Sequence, residues 1–308
     1  MELARTGIYS GEGSMLAEEQ AENSCYFYEL ASAQFGWTLN LVEKVWALNL
    51  KGGQDANAGA GGHLPREKVE GKIAEARGLT PGQSVISPET FIDLQTPSDL
   101  QKLDDALRER HVVIPIGFIL FANHIEHDID IALEAGADYI ILDGRGGGTG
   151  GVPLIFCDHI SVPAIPALAR ARKNLHAKTG REISLVITGG LWVAEDFFKA
   201  KVLGTDAIVV SNSAMQAAGC VATRMCNSNN CPVNVATQKF EFRKRLNVQV
   251  GAELLARYFW ASVTLMLVLV RAFGHDSLNQ LASRDITTWH REMAHLSAVS
   301  FPGFVKAP

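Results

Sequence analysis

Short apolar runs alternate with stretches of helical periodicity from about residue 112 to about residue 218. The runs are rich in Val, Ile and Leu and too short for helices, which is typical of strands covered on both faces. Their alternation with helices predicts βαβ units and a parallel sheet. Four units are predicted, with strands at 112–121, 139–142, 183–187 and 207–210 and helices at about 125–134 and 163–177.

A weak internal repeat supports one repeated unit, because residues 132–141 resemble residues 200–209. Gly136 and Gly204 hold equivalent positions, where a glycine can cap a helix before the next strand. Small polar residues also follow the predicted strands, at 143–144, 188–190 and 211–212. Such residues at carboxyl ends are typical of the catalytic face of a (β/α)8 TIM-type barrel. We therefore predict an α/β fold of this class.

The flanking regions are less regular. Helix-like stretches are predicted at about 17–35 and 39–50, a functional Gly/Ala-rich loop at 52–62, and C-terminal helices at about 252–273 and 286–296. We predict a single domain over 1–308. It comprises an irregular part (1–110), regular βα units (111–219), a cysteine loop (220–238) and C-terminal helices (239–308). Two to four of the eight barrel strands stay unassigned.

Composition and charge exclude several classes of partner. The chain has 308 residues and a formal net charge of −5, so no basic field is available to hold nucleic acid or an anionic membrane surface. The longest apolar run, 258–270, is interrupted by Ser262 and Thr264 and predicts a buried helix rather than a membrane span. The N-terminus has no signal-peptide pattern, and we predict a soluble, cytoplasmic protein.

Three of the five cysteines, Cys220, Cys226 and Cys231, lie within twelve residues, whereas Cys25 and Cys157 stand far apart. A disulfide framework would be spaced differently. Thiolates are the natural ligands of iron–sulfur clusters, and a proline often follows the last cysteine, as it does here. Zinc would need a fourth ligand, which the segment 219–238 lacks. Three reduced, buried cysteines are the alternative interpretation.

Other candidate residues follow the predicted strands. Asp143 precedes the glycine-rich run 144–151, which could wrap around an anionic or planar ligand; a plain loop is the alternative. The segments 188–190 and 211–213 lie where barrels commonly bind phosphate, although tight turns explain them equally well. His124 and Glu126 belong to a titratable cluster at a predicted helix start, where acidic residues also complement the helix dipole.

These motifs together resemble the FMN-binding (synthase) domain of glutamate synthase and its stand-alone relatives. The cysteine block 219–238, with its Pro-Val-x-Val-Ala-Thr-Gln tail, is the most specific segment. Further similarity covers the segments 10–13, 59–65, 86–88, 124–126, 143–150, 167–171 and 274–275. The resemblance extends over nearly the whole chain.

The resemblance implies a (β/α)8 barrel that holds FMN at its carboxyl face and a 3Fe-4S cluster on the three clustered cysteines. Electrons would reach the flavin through the cluster, and the flavin would reduce the imine of 2-oxoglutarate and ammonia to glutamate. It implies catalytic roles for His124, Glu126 and Asp143. The implied flavin contacts are Gly147, Gly148, Thr149, Gly150, Gly189, Gly190 and Ser211.

The chain departs from the family pattern in three places. The family's first, flavin-contacting strand has no counterpart before residue 10, so a barrel without its first strand is expected. A family lysine on the strand before His124 is replaced, by our preferred alignment at Ile119 and otherwise at Gly117. A second basic residue is missing from 54–59. Because two cations are lost from a site for anions, FMN binding is expected to be weaker than cluster binding.

No glutaminase domain and no dinucleotide-binding fold is recognised. The ammonia or amine is therefore expected from a glutaminase-type or amine-supplying subunit, and the electrons from a ferredoxin or an NAD(P)H reductase subunit. Two alternatives stay open. The chain could belong to an enzyme that accepts an amine and makes an N-alkylglutamate, or it could be a non-catalytic electron-transfer or scaffold subunit that carries a cluster.

Overall fold

The computed structural model describes residues 1–52, 61–110, 114–148, 152–178 and 182–303. The strands are β1 (Ile8–Tyr9), β2 (Tyr26–Ala31), β3 (Ala47–Lys51), β4 (His63–Leu64), β5 (Val85–Ile86), β6 (Ile116–Phe121), β7 (Tyr139–Asp143), β8 (Ser184–Thr188) and β9 (Ala207–Ile208). The helices are α1 (Ala17–Ala21), α2 (Leu39–Val42), α3 (Gly71–Arg77), α4 (Pro97–Glu109), α5 (Ile125–Glu134), α6 (Leu154–His159), α7 (Ala164–Lys178), α8 (Ala194–Val202), α9 (Asn212–Ala217), α10 (Phe240–Arg243), α11 (Val248–Ala272) and α12 (Arg291–Ser297).

Seven strands form one parallel sheet in the order β1-β2-β3-β6-β7-β8-β9, and β4 pairs with β5 in a separate antiparallel ribbon. Since the main strands follow one another in chain order with helices between them, the fold is of the (β/α)8-barrel type. The four predicted βα units are confirmed, and the helix predicted at 125–134 has those bounds. All seven carboxyl ends lie at one edge of the sheet.

The helices predicted at 17–35 and 39–50 are wrong in their second halves. Each stretch begins with a short helix, α1 or α2, and ends in a parallel strand, β2 or β3. Five of the six β2 residues are buried, on both faces of the strand, so no polar face marks the strand in the sequence. These two strands supply part of the sheet that the apolar pattern leaves unassigned.

The sheet has an apolar layer on each face. Its outer face packs against the helices, with Ile140 and Leu142 of β7 and Ile129 and Leu168 of α5 and α7 all fully buried. A smaller cluster fills the inner face: Ala47, Tyr139, Ile141 and Val186. The Tyr139 hydroxyl donates to the Asn49 side chain at 2.5 Å, which fixes the ring within this inner layer.

The internal repeat has a structural counterpart. Gly136 and Gly204 end α5 and α8 with φ of 91° and 95°, a left-handed conformation that glycine adopts without strain. Two residues later, Asp138 accepts a hydrogen bond from the backbone N–H of Ile116 at 2.9 Å. Asp206 likewise accepts from the N–H of Leu185 at 2.7 Å. Each aspartate therefore anchors the start of the preceding strand to the start of its own.

The described sheet is one strand short of eight. Its edge strands β1 and β9 are not paired with each other, and a groove of about 960 Å³ lies between them. Ile8 and Ile208 of the two edge strands line this groove, and so do Leu255 and Phe259 of α11. This agrees with the expectation of a barrel lacking one strand.

The prediction that 258–270 forms a buried helix is wrong. Helix α11 packs a narrow stripe, including Ser262, Met266 and Val270, against the domain, but only 17% of its most apolar window is buried. Trp260 and Leu265 are among its exposed side chains. By length and composition this one helix among the described residues could span a membrane, a property that many core helices of soluble proteins share.

Candidate functional site

A cavity of about 350 Å³ opens at the carboxyl edge of the sheet. The side chains that face it come from successive strands and from the loops that follow them. They include Tyr9, Glu29, Lys51, Ile119, Ile141, Asp143, Thr188 and Ser211. Five of the predicted flavin contacts line this cavity: Gly147, Gly148, Gly189, Gly190 and Ser211. Thr149 and Gly150 lie outside the described residues.

Glycine is required where the loops after β7 and β8 meet. Gly189 has φ of 97°, and a Cβ there would lie 1.9 Å from the carbonyl oxygen of Gly144. A Cβ on Gly144 would in turn lie 2.6 Å from Cα of Ala164. Because both collisions involve backbone atoms, no side-chain movement could relieve them. The two glycines allow the loops to pack against each other, and Gly147, Gly189 and Gly190 of these loops line the cavity.

His124 and Glu126 do not join this cavity. Glu126 lies on α5 and forms a two-pronged ion pair with Arg170 of α7, with N–O distances of 3.0 and 2.7 Å. His124 precedes the helix and is exposed. Neither residue lines the cavity, so the catalytic roles predicted for them stay predictions without support from this geometry. Asp143, at the end of β7, is the one predicted catalytic residue that lines the cavity.

The cavity contains one lysine, Lys51, that the sequence analysis did not identify as a site residue. Lys51 ends β3 and lines the cavity, and it is the register partner of Ile119 on β6. The adjacent strand thus presents an ammonium group beside the position where the family lysine is absent. Of the two candidate positions, Ile119 lines the cavity and Gly117 does not, and the choice between the two alignments stays a prediction.

Glu29 is the most deeply buried ionisable group of the cavity, with 5% of its surface exposed. It accepts a short hydrogen bond from the Tyr9 hydroxyl, and its other oxygen lies 3.9 Å from Nζ of Lys51. That oxygen, Oε1, has no hydrogen-bond partner among the described residues. Burial raises the pKa of Glu29 despite the opposing effects of Lys51 and Tyr9. Protonation of Glu29 would leave the charge of Lys51 available to a bound anion.

Cys220, Cys226 and Cys231 line a second cavity, of about 370 Å³. In the described part of the chain, no three His, Cys, Asp or Glu side chains converge closely enough to hold one metal ion. A multi-iron cluster makes a different demand, because its cysteines bind different iron atoms and their sulfurs stand further apart. Binding a cluster would draw this loop together, as metal binding commonly couples to local folding.

The loop around Cys231 favours the thiolate that a cluster requires. Burial raises the pKa of this thiol, but backbone N–H groups of residues 233–236 point at its sulfur and lower the pKa below the ordinary value overall. Asn229 shapes the same loop: its Oδ1 accepts from the N–H of Gln238 at 2.7 Å and its carbonyl accepts from the Thr237 hydroxyl at 2.7 Å. Nothing in the sequence pattern singled out Asn229.

The two cavities share a wall. Gly148 and Asn212 line both, and the Asn212 side chain donates to the Gly148 carbonyl at 3.0 Å. Among the described residues, Gly148 and Asn212 therefore lie between a ligand in the first cavity and a cluster in the second. The glycine-rich loop after β7 and the start of α9 bring together segments far apart in the sequence.

The comparisons with known proteins agree on one family. The model for the conserved region in glutamate synthase matches residues 1–276. An archaeal glutamate synthase [NADPH] of Methanocaldococcus jannaschii is 35% identical over 279 residues, covering 90% of this chain and 55% of that protein. The corresponding Thermotoga neapolitana protein is 33% identical, covering 88% and 52%. A ferredoxin-dependent glutamate synthase of Cyanidium caldarium is 33% identical, covering 83% and 16%.

Solved structures support the fold. A mandelate oxidase variant with a C4a-OH-FMN adduct superposes with a TM-score of 0.51 at 16% identity, covering 88% of this chain and 67% of that one. A Pediococcus acidilactici (putative) lactate oxidase gives 0.51 at 12% identity, covering 96% and 66%. At this level of identity the likeness concerns the fold alone. The chain spans about half the length of the archaeal-type relatives.

Proposed function

The chain belongs to the glutamate synthase family, and from that premise we propose that it is the flavin- and cluster-carrying part of a glutamate synthase-type oxidoreductase. It would reduce the imine of 2-oxoglutarate and ammonia to glutamate, consuming two electrons and two protons. The observation that carries the proposal is the wall shared by the two cavities. A redox enzyme that feeds a flavin from a cluster needs both centres side by side.

The first cavity suits FMN. Gly147, Gly189 and Gly190 can bring backbone N–H groups close to a planar or anionic ligand, and Ser211 lies where its phosphate is expected. Lys51 would supply one positive charge to this cavity. The segment 54–59, where the second basic residue is missing, lies outside the described residues, so weaker binding of FMN than of the cluster stays a prediction. Bound FMN would supply hydride transfer, and a 3Fe-4S cluster would supply one-electron transfer.

The chain's own groups have separate tasks in this proposal. Lys51 would balance negative charge on the ligand, and a protonated Glu29 would keep that lysine unpaired. Asp143, at the neighbouring strand end, is the proposed catalytic carboxylate. In the second cavity Cys220, Cys226 and Cys231 would bind the cluster.

The relatives suggest the partners. Their names specify NADPH or ferredoxin, so we propose that a ferredoxin or an NAD(P)H reductase subunit delivers electrons. A glutaminase-type or other amine-supplying subunit would deliver ammonia or an alkylamine. The cytoplasmic location stays a prediction.

Chemical analysis of anaerobically purified protein tests both centres. We expect bound FMN and about three irons per chain. The variants C220S, C226S and C231S should each lose iron and sulfide, while C25S, which does not line the cysteine cavity, should keep both. Wild-type protein with a chemical reductant, 2-oxoglutarate and ammonium should form glutamate.

The cluster, the flavin and the ammonia substrate can each be contradicted by a separate result. Iron-free wild-type protein would remove the cluster from the proposal. A cluster without flavin, even after FMN is added, would leave an electron-transfer or scaffold subunit. Faster turnover with a primary alkylamine than with ammonium would favour the N-alkylglutamate alternative.

A further inference from the structure

A lysine outside the cysteine loop reaches into it. Lys68 ends the short 3-10 helix Arg66–Lys68, which follows β4. Its Nζ donates to the backbone carbonyl of Cys226 at 3.0 Å, and its side chain lines the cysteine cavity. The two residues are 158 positions apart, so only the folded chain brings them together.

The position of Lys68 is fixed from several sides. The side-chain amide of buried Asn229 donates to the carbonyl of Glu67 at 2.9 Å, which ties the 3-10 helix to the cysteine loop. The N–H of Lys68 donates to the Pro65 carbonyl at 2.9 Å, and the next residue, Val69, is fully buried. The ammonium group is thus held beside the loop rather than extended into solvent.

The ammonium group of Lys68 has no carboxylate partner among the described residues. Within the described residues, no carboxylate oxygen lies within 4.0 Å of Lys68 Nζ, whereas the neighbouring Arg66 pairs with Glu67 at 3.0 Å. The half-buried ammonium is close enough to interact electrostatically with both Cys226 and Cys231. Partial burial reduces solvent screening of such an interaction.

We propose that Lys68 raises the reduction potential of the cluster by holding an uncompensated positive charge beside two of its three ligands. The inference rests on the proposed function, because it requires the cluster. Reduction adds one negative charge to the cluster, and a fixed cation stabilises the more negative state. Lys68 is therefore a positioning and tuning residue that need not touch the iron.

The test is a redox titration of the cluster in the full chain, followed by electron paramagnetic resonance. K68M should lower the equilibrium constant for one-electron reduction about tenfold, a shift of about 59 mV. K68R keeps the charge and should stay close to wild type. K239M is the matched control, since Lys239 bonds to Asn230 of the same loop but is exposed.

K68Q separates charge from hydrogen bonding, because an amide can still donate to the Cys226 carbonyl. If K68M loses iron, K68Q carries the test, and a lowered potential there supports the proposal. Equal potentials in wild type, K68Q and K68R would overturn it, as would an equal shift in K239M. Wild-type protein without iron and sulfide would instead refute the cluster assignment, a distinct result visible before any titration.

Discussion

The protonation state of Glu29 decides whether Lys51 is free to meet an anion, and E29Q tests it. Glutamine has nearly the shape of the neutral carboxylic acid and can still accept from the Tyr9 hydroxyl. Only 5% of the surface of Glu29 is exposed, so an ionised carboxylate would lose almost all its hydration. That cost is several kcal/mol, while attraction to Lys51 at 3.9 Å is about 4 kcal/mol at an effective dielectric constant near 20.

The raised pKa of Glu29 fixes the sign of the expected effect. Folding favours the protonated form, so its contribution to stability is complete below the unfolded pKa of about 4.3 and is lost as pH rises through the folded pKa. Glutamine does not titrate. Relative to E29Q, the unfolding free energy of wild type should fall by up to about 1.4 kcal/mol per pH unit within that window. We expect E29Q to be the more stable protein at pH 8 and the difference to shrink as the pH falls through that window.

Urea unfolding followed by circular dichroism from pH 4 to pH 9 measures this difference. Other titrating groups contribute equally to both proteins and cancel. E43Q is a control, because Glu43 is exposed and pairs with Arg110 at the surface, and it should change stability by less than about 1 kcal/mol. The reasoning would be refuted if E29Q were about 3 kcal/mol less stable at pH 8 and equal to wild type at pH 4. That result would mean an ionised Glu29 paired with Lys51.

Three further predictions concern the first cavity and α5. K51M should weaken FMN binding about tenfold in a fluorescence titration, with the exposed K44M unchanged; equal affinities would exclude Lys51 from the flavin site. G189A should cost about 3 kcal/mol or more in urea unfolding, because its Cβ meets backbone at 1.9 Å, whereas G136A, with φ of 91° and open space, should cost only about 1 kcal/mol. Similar costs would show that the loop contact is unimportant. E126Q should leave glutamate formation unchanged and cost less than about 1 kcal/mol of stability; a large loss of turnover would restore its catalytic role.

Local patterns predicted the regular half of the barrel well. Between residues 114 and 210, buried strands read as Val, Ile and Leu runs, and glycines end α5 and α8 where the chain must turn. The two strands β2 and β3 were missed because only four residues, 22–25 and 43–46, separate each from a short helix, and neither link contains Gly or Pro. The apolar run that became α11 was taken as buried, since periodicity shows that a helix is apolar but not how much of it finds a partner.

Local sequence is enough to predict the strands and helices of the second half of the sheet, the glycine loops and the cysteine block, because each depends on residues close together in the chain. Which charges face the cavities depends instead on long-range packing. Strand register set Lys51 beside Ile119, and packing of α5 on α7 turned Glu126 toward Arg170. Lys68 meets Cys226 across 158 residues. Charges act through space over distances that sequence separation does not encode, so only the folded chain shows where they are unpaired.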